Sequence, residues 1–520
     1  MINLTYQTTK NSINNFVSLN FNFLQLFKLH MKKKVTVIGS GFSGLSAACY
    51  LAKQGYDVTV LEKHATVGGR ARQFEQQGFV YDMGPSWYWM PDIFEKFFAD
   101  FGKKVSDYYE LERLSPSYRI YFEDGPLDIP SDLNEMYAMF ETLEKGSAEK
   151  LKQFLKEAEY KYQIGMNDLV YKPGLSLTEF MNVRFFKGIF KLDVFKSIAS
   201  HIRKSFSNPK LIQLLEFPVL FLGALPENTP ALYSLMNYSD IVGGTWYPKG
   251  GMTSVIKGMH TLAIELGVKF ELNTDVSKIK VEGNLAKQIT TQTKHTGFDV
   301  VVSSADYHFT EQTLLDKPYR NYSEKYWQTR KMAPSSLIFY LGVNKKLPNL
   351  LHHSLFFDED FNLHAQEIYT NPKWPTKPLI YLSSTSQTDA NTAPEGCENL
   401  FILIPIAPDL KEDKATIDYY FDLVINRIEK HIGVSFKDNI ILRRDYAGSD
   451  FLKDYNSFRG NAYGLANTLS QTAILKPKLK NDKVKNLFYT GQLTVPGPGV
   501  PPCLISGKLV AEQVTKFFDK

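Results

Sequence analysis

Short runs of β-branched and apolar residues divide the N-terminal part of the chain into regular units. Residues 35–38 form one such run and lead into a G-x-G-x-x-G sequence at positions 39–44, and residues 57–61 form a second run that ends at an acid. Apolar runs of this length predict buried strands, and the stretch between them predicts a helix that begins near Ser43 and is closed by Gly55. The pattern therefore predicts a strand, a glycine turn, a helix and a second strand, in that order.

Similar patterns return later in the chain. Residues 298–306 predict a buried strand with a polar end, and residues 486–492 predict a strand that ends in glycine. A glycine pair before Met252 predicts the start of a helix, and residues 272–277 predict the edge of a strand. A Gly/Pro-rich run follows the last strand, and a closing helix is expected from about Leu504.

Residues 182–199 interleave basic and bulky apolar side chains. As a helix, this segment would have an apolar face formed by Phe185, Phe186, Ile189 and Leu192. The opposite face would carry Arg184, Lys187 and Lys191, although Asp193 and Lys196 interrupt the apolar side. Two interpretations stay open. The segment is either an amphipathic helix packed on the core or an interfacial helix through which a lipid-soluble substrate enters from a membrane.

Composition narrows the class of protein. Hydrophobic residues make up 43% of the 520 positions and charged residues 22%, which is typical of a globular chain long enough for two domains. The net charge of +5 fits an anionic membrane surface, and no motif indicates nucleic-acid binding. No segment reaches the roughly 18 uncharged apolar residues of a membrane span, so the sequence does not predict an integral membrane protein.

Metal and hydrolase chemistry are not indicated either. Cys49, Cys397 and Cys503 are scattered without a C-x-x-C or zinc spacing, so we interpret them as buried small residues in a reducing compartment. We interpret the adjacent His352 and His353 as loop residues rather than metal ligands. The chain also lacks the G-x-S-x-G and H-E-x-x-H motifs of hydrolases.

The glycine turn and the acid after the second strand have the chemistry of a dinucleotide site. Gly39 would make the tight turn, Gly41 would let the backbone approach a pyrophosphate, and Gly44 would let the helix pack close to the sheet. The helix N-terminus would point its N–H groups at the phosphates, and Glu62 would accept hydrogen bonds from ribose hydroxyls. Two further glycines before Arg70 suit another backbone contact with phosphate, with a guanidinium beside it.

Residues 35–72 as a whole resemble the FAD-binding start of the large flavoprotein family that contains amine oxidases, protoporphyrinogen oxidase and carotenoid desaturases. The resemblance favours FAD over NAD. Within that family, residues 81–91 combine a Gly-Pro turn with an aromatic cluster and resemble the corresponding segment of bacterial phytoene desaturases. The C-terminal strand and Gly/Pro run extend the resemblance, which covers nearly all of residues 31–516.

The resemblance implies which residues bind FAD, although it identifies no catalytic residue and no metal ligand. The implied cofactor-binding residues are Gly39, Gly41, Phe42, Ser43, Gly44, Glu62, Lys63, Gly69, Arg70, Val276, Gly491, Gln492 and Val500. Val276 would contact the adenine through its backbone. Gln492 departs from the aspartate that many family members carry after the last glycine, but glutamine can also donate and accept hydrogen bonds at the ribitol.

The predicted fold class is α/β, with a Rossmann-like FAD-binding domain and an interleaved α+β substrate domain. The FAD-binding domain would comprise residues 31–110, 241–310 and 481–520. The membrane-facing substrate domain would comprise residues 111–240 and 311–480, which hold most of the phenylalanine and tyrosine. Residues 1–30 are expected to be a non-native or disordered extension, with Met31 as the natural start.

The resemblance implies an FAD-dependent oxidoreductase of carotenoid biosynthesis. Its expected reaction is the desaturation of phytoene toward lycopene, in which hydride passes from an allylic CH₂–CH₂ unit to the flavin and a quinone or oxygen accepts the electrons. The protein would be cytoplasmic and peripherally bound to the inner membrane. Arg119 and the polar residues of 459–464 are candidates for the base. The alternatives are a desaturase, isomerase or saturase acting on a later, for example hydroxylated, carotenoid, and a non-catalytic prenyl-binding protein.

Overall fold

The structure is a computed structural model that describes residues 32–176, 179, 196–223, 225–292 and 294–519. Its strands, numbered along the chain, are β1 (Lys34–Ile38), β2 (Asp57–Leu61), β3 (Gln73–Gln76), β4 (Phe79–Asp82), β5 (Leu111–Arg113), β6 (Tyr118–Phe122), β7 (Gly125–Ile129), β8 (Trp246–Pro248), β9 (Lys269–Glu271), β10 (Lys278–Glu282), β11 (Leu285–Thr290), β12 (Lys294–His295), β13 (Val300–Ser303), β14 (Ser335–Val343), β15 (His353–Phe356), β16 (Ile380–Ser383), β17 (Glu398–Ile406), β18 (Ile440–Tyr446) and β19 (Leu487–Tyr489).

The α-helices of the described residues are numbered in the same way. They are α1 (Phe42–Lys53), α2 (Pro91–Ala99), α3 (Leu133–Leu143), α4 (Ser147–Ile164), α5 (Ile198–Arg203), α6 (Pro209–Glu216), α7 (Leu235–Ile241), α8 (Met252–Glu265), α9 (Tyr307–Phe309), α10 (Glu324–Gln328), α11 (Phe361–Tyr369), α12 (Lys414–Ile432), α13 (Gly448–Tyr455) and α14 (Val500–Phe518).

Five parallel strands form the first sheet, in the order β19-β13-β1-β2-β9. Val35 of the central strand pairs with Val58 on one side and with Val300 on the other, so the apolar runs recognised in the sequence lie side by side. Helices α1 and α14 pack closely against each other. A Cβ on Gly507 would lie only 2.5 Å from the Cβ of Ser46, so the absence of a side chain at Gly507 permits this approach. This sheet with its helices confirms the predicted α/β, Rossmann-like fold.

A second sheet of seven strands has the order β18-β14-β17-β16-β15-β6-β7, and all its neighbours are antiparallel except β15 and β6. Helix α12 covers one face, where its isoleucines pack against alternate residues of β14. The chain enters this sheet twice, at residues 118–129 and 335–446, between visits to the first sheet. The exact limits of the two domains stay a prediction.

Three smaller sheets accompany the two large ones. They are a three-stranded sheet, β10-β11-β12, and two antiparallel pairs, β3-β4 and β5-β8. Strand β4 ends at Asp82, whose carboxylate accepts hydrogen bonds from the backbone N–H groups of Met252 (2.6 Å) and Thr253 (3.3 Å). An acid from a distant segment therefore caps the N-terminus of α8. It accepts hydrogen bonds from N–H groups that have no partner within the helix, and its negative charge interacts favourably with the helix dipole.

The structure corrects two predicted elements. Strand β9 ends at Glu271, and residues 272–277 form a loop because the backbone N–H groups of Asn273 and Thr274 turn back to the carbonyl oxygens of His64 and Glu62. The closing helix α14 begins at Val500, earlier than predicted, because its prolines occupy the first turn, where no intrahelical N–H is needed.

The sequence interpretation of the three cysteines as buried residues is confirmed only in part. Cys49 is buried as predicted, but Cys397 and Cys503 are only half-buried, and all three thiols are free.

The segment 182–199 lies largely outside the described residues, which begin again at residue 196, just before α5. Among the helices that the structure describes, none combines the length and apolar character required to span a membrane.

Candidate active site

A cavity of about 530 Å³ runs from the carboxyl ends of β1, β2 and β13 to the inner face of the seven-stranded sheet. Its lining includes Gly39 and Glu62 beside the first sheet and Ile338 and Leu403 in the second. Parallel sheets bind ligands at the carboxyl ends of their strands, so the first end of the cavity has the position of a cofactor site. The other end is a chamber beneath the second sheet.

The glycine turn at the end of β1 has the predicted geometry. Gly39 adopts φ of +95°, which favours glycine, and its N–H donates to the carbonyl oxygen of Leu61 (2.8 Å). A Cβ on Gly44 would lie 2.0 Å from the carbonyl oxygen of Gly39, so only glycine lets α1 approach the turn. Phe42 and Ser43, in the first turn of α1, line the cavity. The helix N-terminus is therefore directed at the cavity.

Glu62 lies at the end of β2 and is 4% exposed. One carboxylate oxygen accepts hydrogen bonds from the backbone N–H (2.9 Å) and hydroxyl (2.6 Å) of Ser40, and the other accepts one from the N–H of His64 (3.0 Å). These contacts hold the carboxylate beside the glycine turn. A carboxylate has about four acceptor positions, so one remains for a ligand hydroxyl.

A second glycine turn faces the first. A Cβ on Gly69 would lie 3.1 Å from the Cα of Gly41, so the two backbones approach closely. Arg70 donates to the hydroxyl of Ser457 (2.8 Å), and its guanidinium carbon lies 5.1 Å from the ring centre of Tyr455. Its Nε is buried without a hydrogen-bond partner and belongs to a residue of the cavity lining. An unsatisfied buried donor of this kind suits an anionic or polar ligand.

The C-terminal segment closes the same end of the cavity. Gly491 has φ of +113°, and its N–H donates to the hydroxyl of Ser506 (3.0 Å). Gln492 lines the cavity and its amide lies 3.4 Å from the side-chain oxygen of Asn461. Val500 is the first residue of the 19-residue helix α14, so a second helix N-terminus borders the cavity.

The structure brings the predicted cofactor residues together. Val276, which is buried, and Lys63 also line the cavity, although the ammonium of Lys63 donates to the carbonyl oxygen of Lys453 (2.8 Å). Of the thirteen residues implied by the resemblance, only Gly44 lies outside the lining, because it packs beneath the turn. Its role is therefore in the fold of the site.

The chamber at the other end is predominantly apolar. Helix α11 contributes one face, on which Phe361, Ala365 and Ile368 follow the spacing of a helical stripe. Other apolar residues of its lining are Met166, Val170, Phe217, Leu235, Met236, Ile338, Leu355, Phe357, Leu379 and Leu403. The chamber is therefore suited to a lipophilic molecule.

The chamber contains one histidine, and this side chain is neutral. His364 Nδ1 accepts a hydrogen bond from the N–H of Leu379 (3.0 Å), so Nε2 carries the hydrogen and donates to the carbonyl oxygen of Pro405 (2.9 Å). Burial lowers the pKa of His364 to about 4. The imidazole thus adds no charge to the apolar surface.

A group of hydroxyls forms a polar region in the chamber wall. The hydroxyl of Tyr381 lies 2.7 Å from that of Ser86 and 2.8 Å from Nδ1 of His353. The ring of His353 stacks on Trp87, with 4.1 Å between ring centres. Ser86, Trp87 and Tyr381 line the cavity, and His353 lies behind them. Sequence patterns did not predict this cluster, because Ser86 and Tyr381 are 295 positions apart in the chain.

The interpretations of Arg119 and His353 change. Arg119 lies outside the cavity lining, where it pairs with Asp128 (2.8 Å) and donates to the carbonyl oxygen of Asn349 (2.8 Å). His352 is a loop residue as predicted, although it is buried, whereas His353 begins β15 because it pairs with Ser383 of the neighbouring strand. The pKa of both imidazoles is lowered by burial.

The segment 459–464 is partly at the site. Ala462 and Tyr463 line the cavity, and the side-chain oxygen of Asn461 accepts a hydrogen bond from the N–H of Gly464 (2.7 Å). Arg459 points elsewhere, because its guanidinium pairs with Asp409 (3.0 Å). This segment shapes the cavity, and its arginine does not border it.

Several residues of the site were missed by sequence reasoning. Ser40 stands inside the glycine motif, so a hydroxyl between two glycines was the available signal. Tyr455 and Ser457 had no such signal, because Ser457 is 387 positions from Arg70. Within the described residues, no group of three or more His, Cys, Asp or Glu side chains could hold a metal ion.

The chain is similar to known proteins in sequence and in fold. The family model for flavin-containing amine oxidoreductases matches residues 42–515. The chain belongs to this family. Membership confirms a flavin-dependent oxidoreductase and the FAD cofactor that the sequence predicted.

Two relatives of the chain are named as carotenoid desaturases. The chain is 42% identical over 484 residues to a carotenoid 3,4-desaturase of Haloarcula japonica, and the match covers 92% of this chain and 97% of the relative. It is 30% identical over 494 residues to a zeta-carotene-forming phytoene desaturase of Myxococcus xanthus, with 93% and 94% covered. These matches confirm the predicted resemblance to the carotenoid desaturases of the family.

A solved structure shows the same fold at low identity. An oxidoreductase from Methanosarcina mazei superposes with a TM-score of 0.57 and 16% identity, and the match covers 92% of this chain and all of that one. The two-sheet arrangement is therefore found elsewhere among oxidoreductases.

Proposed function

We propose that the two glycine turns and Glu62 hold the adenosine and pyrophosphate of FAD, and that the segment from Gly491 to Val500 holds the flavin ring. The residues fit this group. Gly41 and Gly69 leave a backbone cradle that a side chain would narrow, and Arg70 has a buried Nε without a partner beside it. The N-terminal dipoles of α1 and α14 favour negative charge on a bound ligand.

Bound FAD supplies the chemistry of hydrogen removal from a carbon chain. The protein residues hold the cofactor, exclude water and position the substrate. The apolar chamber supports this role because water in it would have few hydrogen-bond partners. The dipole of α14 would stabilise negative charge near Val500.

Glu62 provides a direct test of the cofactor assignment. We expect Glu62→Gln to weaken FAD binding by about tenfold or more, because a charged acceptor becomes a neutral amide whose N–H₂ group faces the donors of Ser40. The dissociation constant would be measured by titrating the apo-protein with FAD and following flavin fluorescence.

Glu271→Gln is the matched control for this titration. Glu271 ends the neighbouring strand β9 and is exposed, and only its backbone carbonyl contacts Glu62. FAD affinity equal to that of the unchanged protein in both variants would refute the role of Glu62. Reduced affinity in both would indicate a general effect of the charge on this edge of the sheet.

We propose that the whole protein is a carotenoid desaturase that converts a CH₂–CH₂ unit of a linear polyene into a double bond. The observation that carries this proposal is the continuity of the cavity, in which an apolar chamber opens directly onto the FAD end. A lipophilic chain can then lie in the chamber with one of its carbons against the flavin. The intact turns around Gly41 and Gly69 argue against a non-catalytic prenyl-binding role.

The favoured substrate is an already conjugated carotenoid that is desaturated at C3–C4. The 42% identity to a carotenoid 3,4-desaturase over 97% of that relative supports this step. The second candidate is the desaturation of phytoene toward lycopene, which is supported by the resemblance of residues 81–91 and by the relative named as a phytoene desaturase. A quinone or oxygen as electron acceptor and attachment to a membrane surface belong to the same proposal.

Pigment analysis would separate the candidates. The gene would be expressed in one bacterial strain that accumulates phytoene and in another that accumulates lycopene or its hydroxylated derivative. We expect the second strain to form a pigment with one more double bond, a longer conjugated system and a red-shifted absorption spectrum. Extracts would be resolved by chromatography and their masses measured.

Each outcome has a definite meaning. Loss of two hydrogens from lycopene or its derivative supports the C3–C4 step, and coloured products from phytoene support the second candidate. A product with unchanged mass and altered geometry would indicate an isomerase, and a gain of two hydrogens would indicate a saturase. Unchanged pigments in both strains, from a protein that contains FAD, would contradict the proposed desaturation of these carotenoids.

A further inference from the structure

A small second cavity of about 20 Å³ adjoins the chamber. Ser86 belongs to the lining of both cavities. A water molecule needs a cavity of roughly 10–15 Å³ and two to four polar partners. The small cavity therefore has room for one water.

Three unpartnered polar atoms belong to residues of this small cavity. They are the hydroxyl of Tyr81, Nε2 of His352 and the hydroxyl of Ser383. The three residues are 3%, 5% and 2% exposed. A buried polar atom without a partner is unfavourable, so a water that bonds to all three would remove this penalty. Because all three residues line this small cavity, it offers a bound water several polar partners.

Polar groups continue from the small cavity toward both the chamber and the surface. On the chamber side, Ser86 contacts the hydroxyl of Tyr381 (2.7 Å). On the other side, Tyr247 also lines the small cavity, and its hydroxyl donates to the carboxylate of Asp389 (3.1 Å), which is half-buried at the surface. Asp82 also lines the small cavity, and burial raises the pKa of its carboxyl to about 7.

We propose that the small cavity binds one water molecule and that this water, between Ser86 and the Tyr247–Asp389 pair, forms the exit path for protons from the chamber. The proposal rests on the proposed desaturation. In that reaction, one hydrogen leaves carbon with its bonding electron pair and passes to the bound flavin. The electron pair of the neighbouring C–H bond becomes the new double bond, and its hydrogen leaves as a proton.

Hydroxyl groups can pass this proton on without becoming charged for long. The oxygen of Tyr381 or Ser86 accepts the proton from carbon and releases its own hydrogen to the next acceptor, so each group ends as it began. A weak neutral acceptor suffices, because a carbon next to an electron-deficient centre is strongly acidic. The apolar chamber offers little other stabilisation for a proton, which gives the polar region around Ser86 its significance.

The test compares proton release with flavin reduction in the full-length holoenzyme. Under anaerobic single-turnover conditions, flavin bleaching would report substrate oxidation, and a pH-indicator dye in weakly buffered solution would report the proton. The substrate would be the carotenoid converted in the pigment assay, presented in detergent micelles. We expect bleaching and proton release to proceed at the same rate in the unchanged protein.

Two variants interrupt the path in different places. Ser86→Ala removes the shared hydroxyl, and Ser383→Val fills the space of the water with apolar carbon without touching the chamber lining. We expect proton release to become about tenfold slower or more in both, and slower than bleaching in Ser383→Val. Ser147→Ala is the matched control, because Ser147 is also fully buried with an unpartnered hydroxyl but lines neither cavity.

The outcomes separate this proposal from the proposed function. Absence of bleaching in the unchanged, FAD-containing protein would contradict the desaturase assignment. Normal bleaching with an unchanged rate of proton release in Ser383→Val would overturn the exit path, whatever Ser86→Ala does. FAD content and thermal unfolding would establish that each variant is folded. A crystal structure should show the water within hydrogen-bonding distance of Tyr81, His352 and Ser383, and its absence would also overturn the proposal.

Discussion

Gly44→Ala is expected to destabilise the protein severely, because the new Cβ would lie 2.0 Å from the carbonyl oxygen of Gly39. The clashing atom belongs to the backbone of the glycine turn, so relief requires that α1 move away from the sheet. Overpacking of this kind typically costs about 1–3 kcal/mol and occasionally more, and a backbone clash in a turn held by the Leu61 carbonyl belongs at the upper end. Chemical denaturation of the apo-protein would measure the loss in unfolding free energy.

Gly41→Ala is the matched substitution three positions earlier, and it should separate cofactor binding from folding. Gly41 has φ of −70°, which alanine adopts without strain, and its added Cβ would approach the Cα of Gly69 only to 3.9 Å. We expect the unfolding free energy of the apo-protein to change by about 0.5 kcal/mol or less. FAD affinity should nevertheless fall by about tenfold or more, because the methyl group occupies the space through which the backbone approaches the pyrophosphate.

Each alanine variant has an outcome that would contradict the expectation. If Gly44→Ala unfolded at the same denaturant concentration as the unchanged protein, the close packing of α1 on the turn would be wrong. If Gly41→Ala bound FAD normally, the pyrophosphate would lie elsewhere. The expected pair is one variant that is strongly destabilised and one that keeps its stability but binds FAD more weakly.

Ala365→Trp is expected to abolish most carotenoid turnover while leaving the flavin in place. Ala365 is 3% exposed and faces the chamber from the middle of α11, so an indole at this position would occupy the space proposed for the polyene. Misplacement of a substrate by about 1 Å can cost roughly 100-fold in rate, and exclusion from the chamber should cost at least as much. Product formation per bound FAD would be measured with the carotenoid that the protein converts.

Gln366→Trp is the control for this variant. Gln366 is the next residue on the same helix, and it is exposed and outside the cavity lining. The substitution therefore introduces the same indole without placing it in the chamber. We expect it to retain the turnover and FAD content of the unchanged protein. Equal turnover in Ala365→Trp and Gln366→Trp would place the polyene outside the chamber, whereas loss of FAD from Ala365→Trp would show that the helix shifts the cofactor site.

Local sequence patterns predicted the first sheet well, because short-range sterics decide its geometry. The requirement for glycine at positions 39 and 44 comes from one positive φ and one contact across five residues. Both can be anticipated from the motif alone. The apolar runs at 35–38, 57–61 and 298–306 became neighbouring buried strands, since a parallel sheet covered on both faces needs continuous apolar residues.

Patterns were less informative where a segment responds to its surroundings. Residues 272–277 looked like a strand edge but turn back to the end of β2, where the backbone of Glu62 offers an acceptor. His352 and His353 looked like loop residues, yet the second is stacked on Trp87 inside the protein. Neither outcome has a local cause, because the deciding partners lie far away in the chain.

The sequence by itself determined the family, the cofactor and the strand–turn–helix unit, because these depend on residues close together in the chain and on the sterics of a few glycines. Only the tertiary structure decided what surrounds the cofactor end, including the contact of Arg70 with Ser457 and the removal of Arg119 from the cavity. It also decided that Ser86, Tyr381 and His353 form one polar region in an apolar chamber. The Arg70–Ser457 and Ser86–Tyr381 contacts join residues 387 and 295 positions apart, so the packing of whole sheets and helices decides them.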